Sequence, residues 1–207
     1  MKLLIKITSL MAVMALSGCA TLSKEECLTV NWREIGQTDG ANGAEHGRVA
    51  EHREACAKHG VKVDLDQYNS GRAVGLRTFC QANSGFARAR QGYVYKGICP
   101  SDLEPNFIDG YEEGKAIYRL EQKISQLQSK VSNTEAKVKK LKKKLKKKEE
   151  AMLADDVTAE ERRALYRKVE DLKDDIHDQA YDRGAIDSQV RQLELELEEL
   201  ISRSRYY

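Results

Sequence analysis

The chain has 207 residues, of which 33% are charged and 6% aromatic, and its formal net charge is +2. So even a balance says little about partners, and the distribution of charge says more. No HExxH, nucleotide loop or nucleophile elbow is present, so the enzyme classes those motifs mark are excluded as readings.

Lys2 and Lys6 form a basic start, and an apolar run follows from residue 7 to residue 16. That run is too short to span a bilayer, which takes roughly 20 apolar residues. Leu16-Ser17-Gly18-Cys19 then resembles the lipobox of a bacterial lipoprotein signal. The resemblance implies cleavage before Cys19 and a diacylglyceride on its thiol. Ala20 stands where an Asp typically retains such proteins at the inner membrane, so it implies an outer-membrane lipoprotein facing the periplasm. One acyl chain gives marginal anchoring, at about 0.8 kcal/mol per buried methylene, whereas several hold firmly. Loss of Lys2 and Lys6 would bring the balance near zero.

Residues 21–26 are mostly polar and read as a tether. Cys27, Cys56, Cys80 and Cys99 follow, an even number in under 100 residues, which reads as a disulfide framework in an exported chain. Three pairings are open. Cys27–Cys56 with Cys80–Cys99 is favoured, because each closes a local loop, at roughly 2–4 kcal/mol apiece. Large apolar residues are few in this segment, so the staples matter.

The local pattern is mainly helical. Leu28, Trp32 and Ile35 share one helical face. Residues 44–59 are good helix formers, with Gly60 placed as a C-terminal cap. Asp64, with Gln67 three residues on, opens a helix to about Cys80. Asn83-Ser84-Gly85 signals a turn, residues 91–98 a short extended piece, and Pro100 delays the next helix to Ser101 or Glu104.

Glycines recur four apart, at Gly36 and Gly40, Gly43 and Gly47, Gly71 and Gly75, and Gly110 and Gly114. Trp32, Tyr68 and Phe107 precede three of these pairs. Each helical glycine costs about 1 kcal/mol relative to alanine. Close helix packing is one explanation, and a ligand or glycan groove at the notches is the other. His52, Cys56 and His59 fall at i, i+4 and i+7, a spacing that suits zinc, against a disulfide at Cys56 and solvated histidines. Asp39, Asp64 and Asp66 are candidate paired carboxylates, although caps and turns explain them more simply.

Several of these motifs occur in a recognisable order. They are Trp32-x-x-x-Gly36-x-x-Asp39-Gly40-x-x-Gly43, Cys56, Tyr68-x-x-Gly71-Arg72-x-x-Gly75-Leu76 with Cys80, and Gly92-x-x-Tyr95-x-Gly97-x-Cys99-Pro100. Together they resemble the uncharacterised bacterial lipoproteins grouped as DUF2799, over residues 27–115. The resemblance implies a localisation and no activity.

From Ile117 apolar residues recur in steps of three and four through Met152, broken only at Thr134 and Lys148. A second series runs from Leu165 to Leu200, with Gln179 and Arg183 as its polar exceptions and Gly184 as a weak point. Each predicts an arm of a coiled coil. Thr158 with Glu161 predicts a capping box at the start of the second arm. Arms of roughly 40 residues would reach about 60 Å at the helical rise. One continuous helix that dimerises with another chain is the competing arrangement.

Residues 137–148 contain nine lysines, with Val138, Leu141 and Leu145 keeping the apolar register. Lys142, Lys143, Lys144, Lys146, Lys147 and Lys148, with Arg162 and Arg163, are the candidate contacts for an anionic polymer or acidic protein. A turn at residues 155 and 156 would set Lys137 and Lys140 near Asp174 and Asp171. It would set Lys144, Lys147 and Lys148 near Arg167, Arg163 and Arg162.

The chain therefore reads as mainly α, a small disulfide-stapled helical module followed by a long antiparallel coiled-coil hairpin. The expected bounds are a signal at 1–18, a lipidated tether at 19–26, the module at 27–115 and the hairpin at 116–205. The expected role is a non-catalytic cell-envelope lipoprotein, tethered by its lipid, whose arm is a spacer or binds an envelope protein or anionic polymer. The alternative is a glycan- or peptide-binding, even hydrolytic, module oligomerised by the arm. No catalytic residue, metal, cofactor or nucleic-acid partner is expected, and homo-oligomerisation through the coiled coil stays open.

Overall fold

A computed structural model describes residues 22–207. The signal segment and the lipidation site at Cys19 lie outside the described residues. The described chain is helical, without strands: α1 (Lys24–Thr29), α2 (Trp32–Asn42), α3 (Arg48–Ala57), α4 (Leu65–Phe79), α5 (Ala82–Arg90), α6 (Glu104–Met152) and α7 (Ala159–Arg203). None of these helices is long and apolar enough to cross a membrane.

The chain divides into two compact units. The first, the module, holds the described residues 22–87 together with Tyr93–Tyr111. The second, the arm, holds Arg88–Gly92 and Glu112–Tyr207.

The module begins earlier than its sequence suggests. Ser23 and Glu26 make a reciprocal capping box that starts α1 inside the expected tether, and Leu22 is buried. The chain then breaks at Val30, and Asn31 caps α2 through the amides of Arg33 and Glu34. That break separates Leu28 from the face it was expected to share. Leu28 is 59% exposed, whereas Trp32 is buried.

Cys27 is bonded to Cys56, and Cys80 to Cys99. These are the two pairings that close local loops. Leu22, Trp32 and Tyr68 pack around the first of them, with Ile35, Val49, Val61 and Val63 beside them. α3 is shorter than the pattern predicts, starting at Arg48. Asp64 caps α4 by accepting from the Gln67 amide at 3.0 Å.

Asn83-Ser84-Gly85 is not a turn but the first part of α5. Gly85 is there because a Cβ at that position would lie 2.2 Å from the Phe107 carbonyl oxygen. Close packing against α6 overrides the local turn propensity. Residues 91–98 form neither helix nor strand. Tyrosine hydroxyls supply much of their hydrogen bonding. Tyr111 donates to the Tyr93 carbonyl and accepts from the Tyr95 amide, while Tyr95 donates to Glu104 and accepts from the Cys99 amide. Phe107 stacks on Phe79 at 5.2 Å and lies 4.7 Å from the Tyr95 ring, which fills the space below this loop.

In the arm, Ile124 and Leu127 of α6 pack with Val190 and Leu193 of α7, flanked by Leu120, Ile186 and Leu197. Gln128 meets Glu194, Glu135 meets Arg183, and Arg162 reaches Met152, so the two helices run antiparallel. Thr158 and Glu161 form the expected capping box. The register differs from that of a symmetric turn at 155 and 156. Such a turn would set Glu135 against Ile176, yet Glu135 bonds Arg183 at 3.1 Å, about two helical turns further on. The packing of Ile124 and Leu127 against Val190 and Leu193 keeps the same offset, and Arg162 closes the end of the arm in that register. Its guanidinium caps α6 by donating to the Met152 and Ala154 carbonyls, so the first turn of α7 runs past the end of α6.

Candidate functional site

The module's polar residues converge on Asp39. α2 presents Asp39 on the same face as Trp32, Gly36 and Gly40, all buried. α3 contributes Arg48 and His52, and α4 contributes Tyr68 and Arg72. The Tyr68 hydroxyl donates to Asp39 Oδ2 at 2.7 Å, and His52 Nε2 lies 2.8 Å from the same oxygen. A carboxylate accepts only, so Nε2 carries the ring proton in this bond. Arg48 Nε stands 4.0 Å from Oδ1. Arg72 Nη2 donates to the Ala44 carbonyl at 2.8 Å, while its Nε is buried without a partner among the described residues.

Burial is the largest cause holding the Tyr68 phenol well above its usual pKa, and its bond to Asp39 adds to it. Tyr68 therefore stays a neutral phenol that donates to Asp39. Tyr68 and His52 are 1% and 2% exposed and Asp39 is buried, whereas Arg48 reaches the surface. The cluster's chemistry is that of an internal cross-link, in which one carboxylate ties three helices together.

The glycine notches are closed. A Cβ on Gly36 would lie 2.0 Å from the Tyr68 carbonyl oxygen, and one on Gly71 would lie 1.9 Å from that of Arg33. Gly40 and Gly75 face the Arg72 and Gln37 carbonyls in the same way. α2 and α4 thus pack backbone against backbone, and Gly110 does the same against Ala82. Close helix packing therefore accounts for these notches, and the alternative groove is filled by the neighbouring helix. Gly43 and Gly47 do not form a notch. Gly43 is the left-handed cap of α2 at φ 71° with the Phe79 ring against it, and Gly47 faces open space.

The zinc reading of His52, Cys56 and His59 is overturned. Cys56 is in a disulfide, His52 turns to Asp39, and His59 is exposed beyond the end of α3. Among the described residues, no group of three or more His, Cys, Asp or Glu converges. The three aspartates do not pair either. Asp64 is a cap and Asp66 is exposed, whereas Asp39 is neither cap nor turn but the buried centre described above. Sequence reasoning missed that role, and it missed Arg72. The signal was the spacing itself, since Asp39 shares the face of Trp32, Gly36 and Gly40, and Arg72 that of Tyr68, Gly75 and Leu76.

The lysine run is helical throughout and lies in α6. Lys142, Lys143, Lys144, Lys146 and Lys147 are exposed, Lys148 is half-buried, and Arg162 and Arg163 are exposed. Of the nine lysines, only Lys146 has an ion-pair partner among the described residues, Glu150 on the same helix at 3.8 Å. Lys144, Lys147 and Lys148 share a shallow groove with Lys168 and Asp171, not with Arg162 and Arg163 as the symmetric turn would require. Arg162 is committed to the Met152 and Ala154 carbonyls. Arg163 lines a separate groove at the tip with Leu153, Tyr166 and Arg167. Leu153 and Tyr166 are 74% and 56% exposed.

No curated protein and no solved structure matches the chain. A family model described as "Protein of unknown function (DUF2799)" matches residues 31–116, which span α2 through α5 and the first turns of α6. The segment that carries the glycine-packed helices and the Asp39 cluster resembles that family.

Proposed function

We propose that this chain is a non-catalytic lipoprotein of the cell envelope, held at the outer membrane through a lipid on Cys19 and facing the periplasm. The module near the tether is a compact platform. The arm, packed as a coiled coil, is a spacer and a binding surface for an envelope protein or anionic polymer. The observation that carries this reading is the lysine face of α6, where eight of nine lysines have no ion-pair partner among the described residues. Exposed ion pairs within a chain contribute only about 0–1 kcal/mol, so uncompensated charge costs little to keep and is free for a partner. Two disulfides fit an oxidising compartment. The buried Asp39 cluster and the filled notches favour binding by the arm over chemistry in the module.

The test has two parts. Mass analysis of the mature N-terminal peptide should find a diacylglyceride on Cys19. Cross-linking in intact cells should then capture a partner through the arm. If removal of residues 117–200 left every captured partner in place, the arm would not be the binding element. Recovery of an unprocessed chain without lipid would remove the tether.

A further inference from the structure

The arm is close to neutral yet strongly segregated. Residues 112–207 contain 22 Lys and Arg against 21 Asp and Glu. The nine lysines occupy one stretch of α6, whereas residues 170–187 of α7 hold seven acidic residues against two basic ones. Both stretches stand at the same level of the arm, because Lys142 and Lys146 share a groove with Ala180 and Arg183. Asp174, Asp178 and Asp182 are exposed, follow one another at i, i+4 and i+8, and have no ion pair among the described residues. Tyr181, 75% exposed, lies beside that stripe.

We propose that two copies of this chain associate side by side through their arms. The lysine face of α6 in one copy meets the Asp174, Asp178 and Asp182 stripe of α7 in the other. Because the two charged stretches are level, the match forms when both arms point the same way. A two-fold axis along the arms then makes the contact twice, once in each direction. It also puts the points where the two chains enter α6 at the same end, as two chains tethered to one membrane require. An identical arm matches the basic and the acidic stretch at once. At about 100° per residue the nine lysines cover roughly 240° of α6, so one neighbouring arm leaves others exposed for a further partner. This pairing does not depend on the identity of that partner.

The experiment uses the full lipidated chain in detergent micelles, an equal mixture of unlabelled and nitrogen-15 protein. A zero-length carbodiimide joins lysine to carboxylate, and mass spectrometry reads peptides that carry one label from each copy. Mixed-label links should join residues 137–148 to residues 174–182 in about 0.01 M salt, where the Debye length is about 30 Å, and fall at least tenfold in about 1 M salt, where it is about 3 Å. Lys142→Glu with Lys143→Glu and Lys146→Glu should abolish them, as should Asp174→Lys with Asp178→Lys and Asp182→Lys. Mixing the two altered chains should restore them, with helix content checked by circular dichroism. Links found only within one copy, or mixed links indifferent to salt and to both sets of changes, would overturn the proposal. So would protection of the lysines by added sodium polyphosphate without mixed links, which would give the face to a polyanion. Because the readout is on purified protein, this pairing and the capture of a cellular partner can fail separately.

Discussion

Gly71→Ala tests whether backbone contact between α2 and α4 holds the module together. The added Cβ would lie 1.9 Å from the Arg33 carbonyl oxygen, 2.7 Å from its carbon and 3.0 Å from its Cα. An ordinary contact is about 3.5 Å, so the two backbones would have to part by roughly 1.5 Å. No side chain can turn aside to relieve it. Overpacking of this kind costs about 1–3 kcal/mol, and main chain on both sides puts it at the upper end. Alanine returns about 1 kcal/mol of helix propensity, leaving a net loss of about 2 kcal/mol. For a unit of this size that lowers the melting temperature by about 8–16 °C. Trp32 is the chain's single tryptophan and is buried on α2, so its fluorescence follows the module alone. Gly184→Ala isolates the propensity gain, since α7 has nothing within 4 Å of that position. It should stabilise the arm by about 1 kcal/mol, read by far-ultraviolet circular dichroism. A Gly71→Ala chain whose Trp32 transition matched or exceeded the parent's would refute the packing argument.

Asp39→Ala leaves the Tyr68 hydroxyl and His52 Nε2 buried without their acceptor, and should cost about 3 kcal/mol in the Trp32 denaturation curve; Tyr68→Phe, which removes one donor, should cost about 1 kcal/mol. The Tyr68 pKa is raised in the folded chain, so its stabilising contribution is complete below the unfolded value near 10 and is lost as pH rises from there toward the folded value. The parent should therefore lose more stability than Tyr68→Phe across that alkaline range, and parallel curves would remove Tyr68 as the cause. Replacing Cys80 and Cys99 together by Ser opens a loop with a sequence separation of 19 and should cost about 3 kcal/mol in the same assay. Thr158→Ala removes the cap of α7 and should lower the arm's stability by about 1 kcal/mol by circular dichroism, with the Trp32 transition unmoved.

Much of the helical arm was legible because Val138, Leu141 and Leu145 keep the apolar period within the lysine run, and period outweighs composition. The two disulfides were legible because short loops close most readily. What the sequence hid was decided by tertiary contact. Asn83-Ser84-Gly85 has turn chemistry, yet the Phe107 backbone needs Gly85 inside a helix. The Asp39 cluster draws single residues from three helices, and no local pattern joins Asp39 to His52 and Tyr68. Arg162, which read as a candidate contact for an anionic partner, instead closes the end of α6.

The Cys27–Cys56 bond also fixes how the protein would carry tension. A pull from the N-terminal side passes the buried Leu22, Ser23 and the first three residues of α1 and then reaches Cys27. There it passes through a covalent bond into α3, 29 positions along the chain. The start of α1 can fray under load while residues 28–55 stay shielded, because the force no longer has to run through the hydrogen bonds of α2. The staple nearest the start of the chain would thus act as a strain relief, and reducing it would turn a firm attachment into one that unravels.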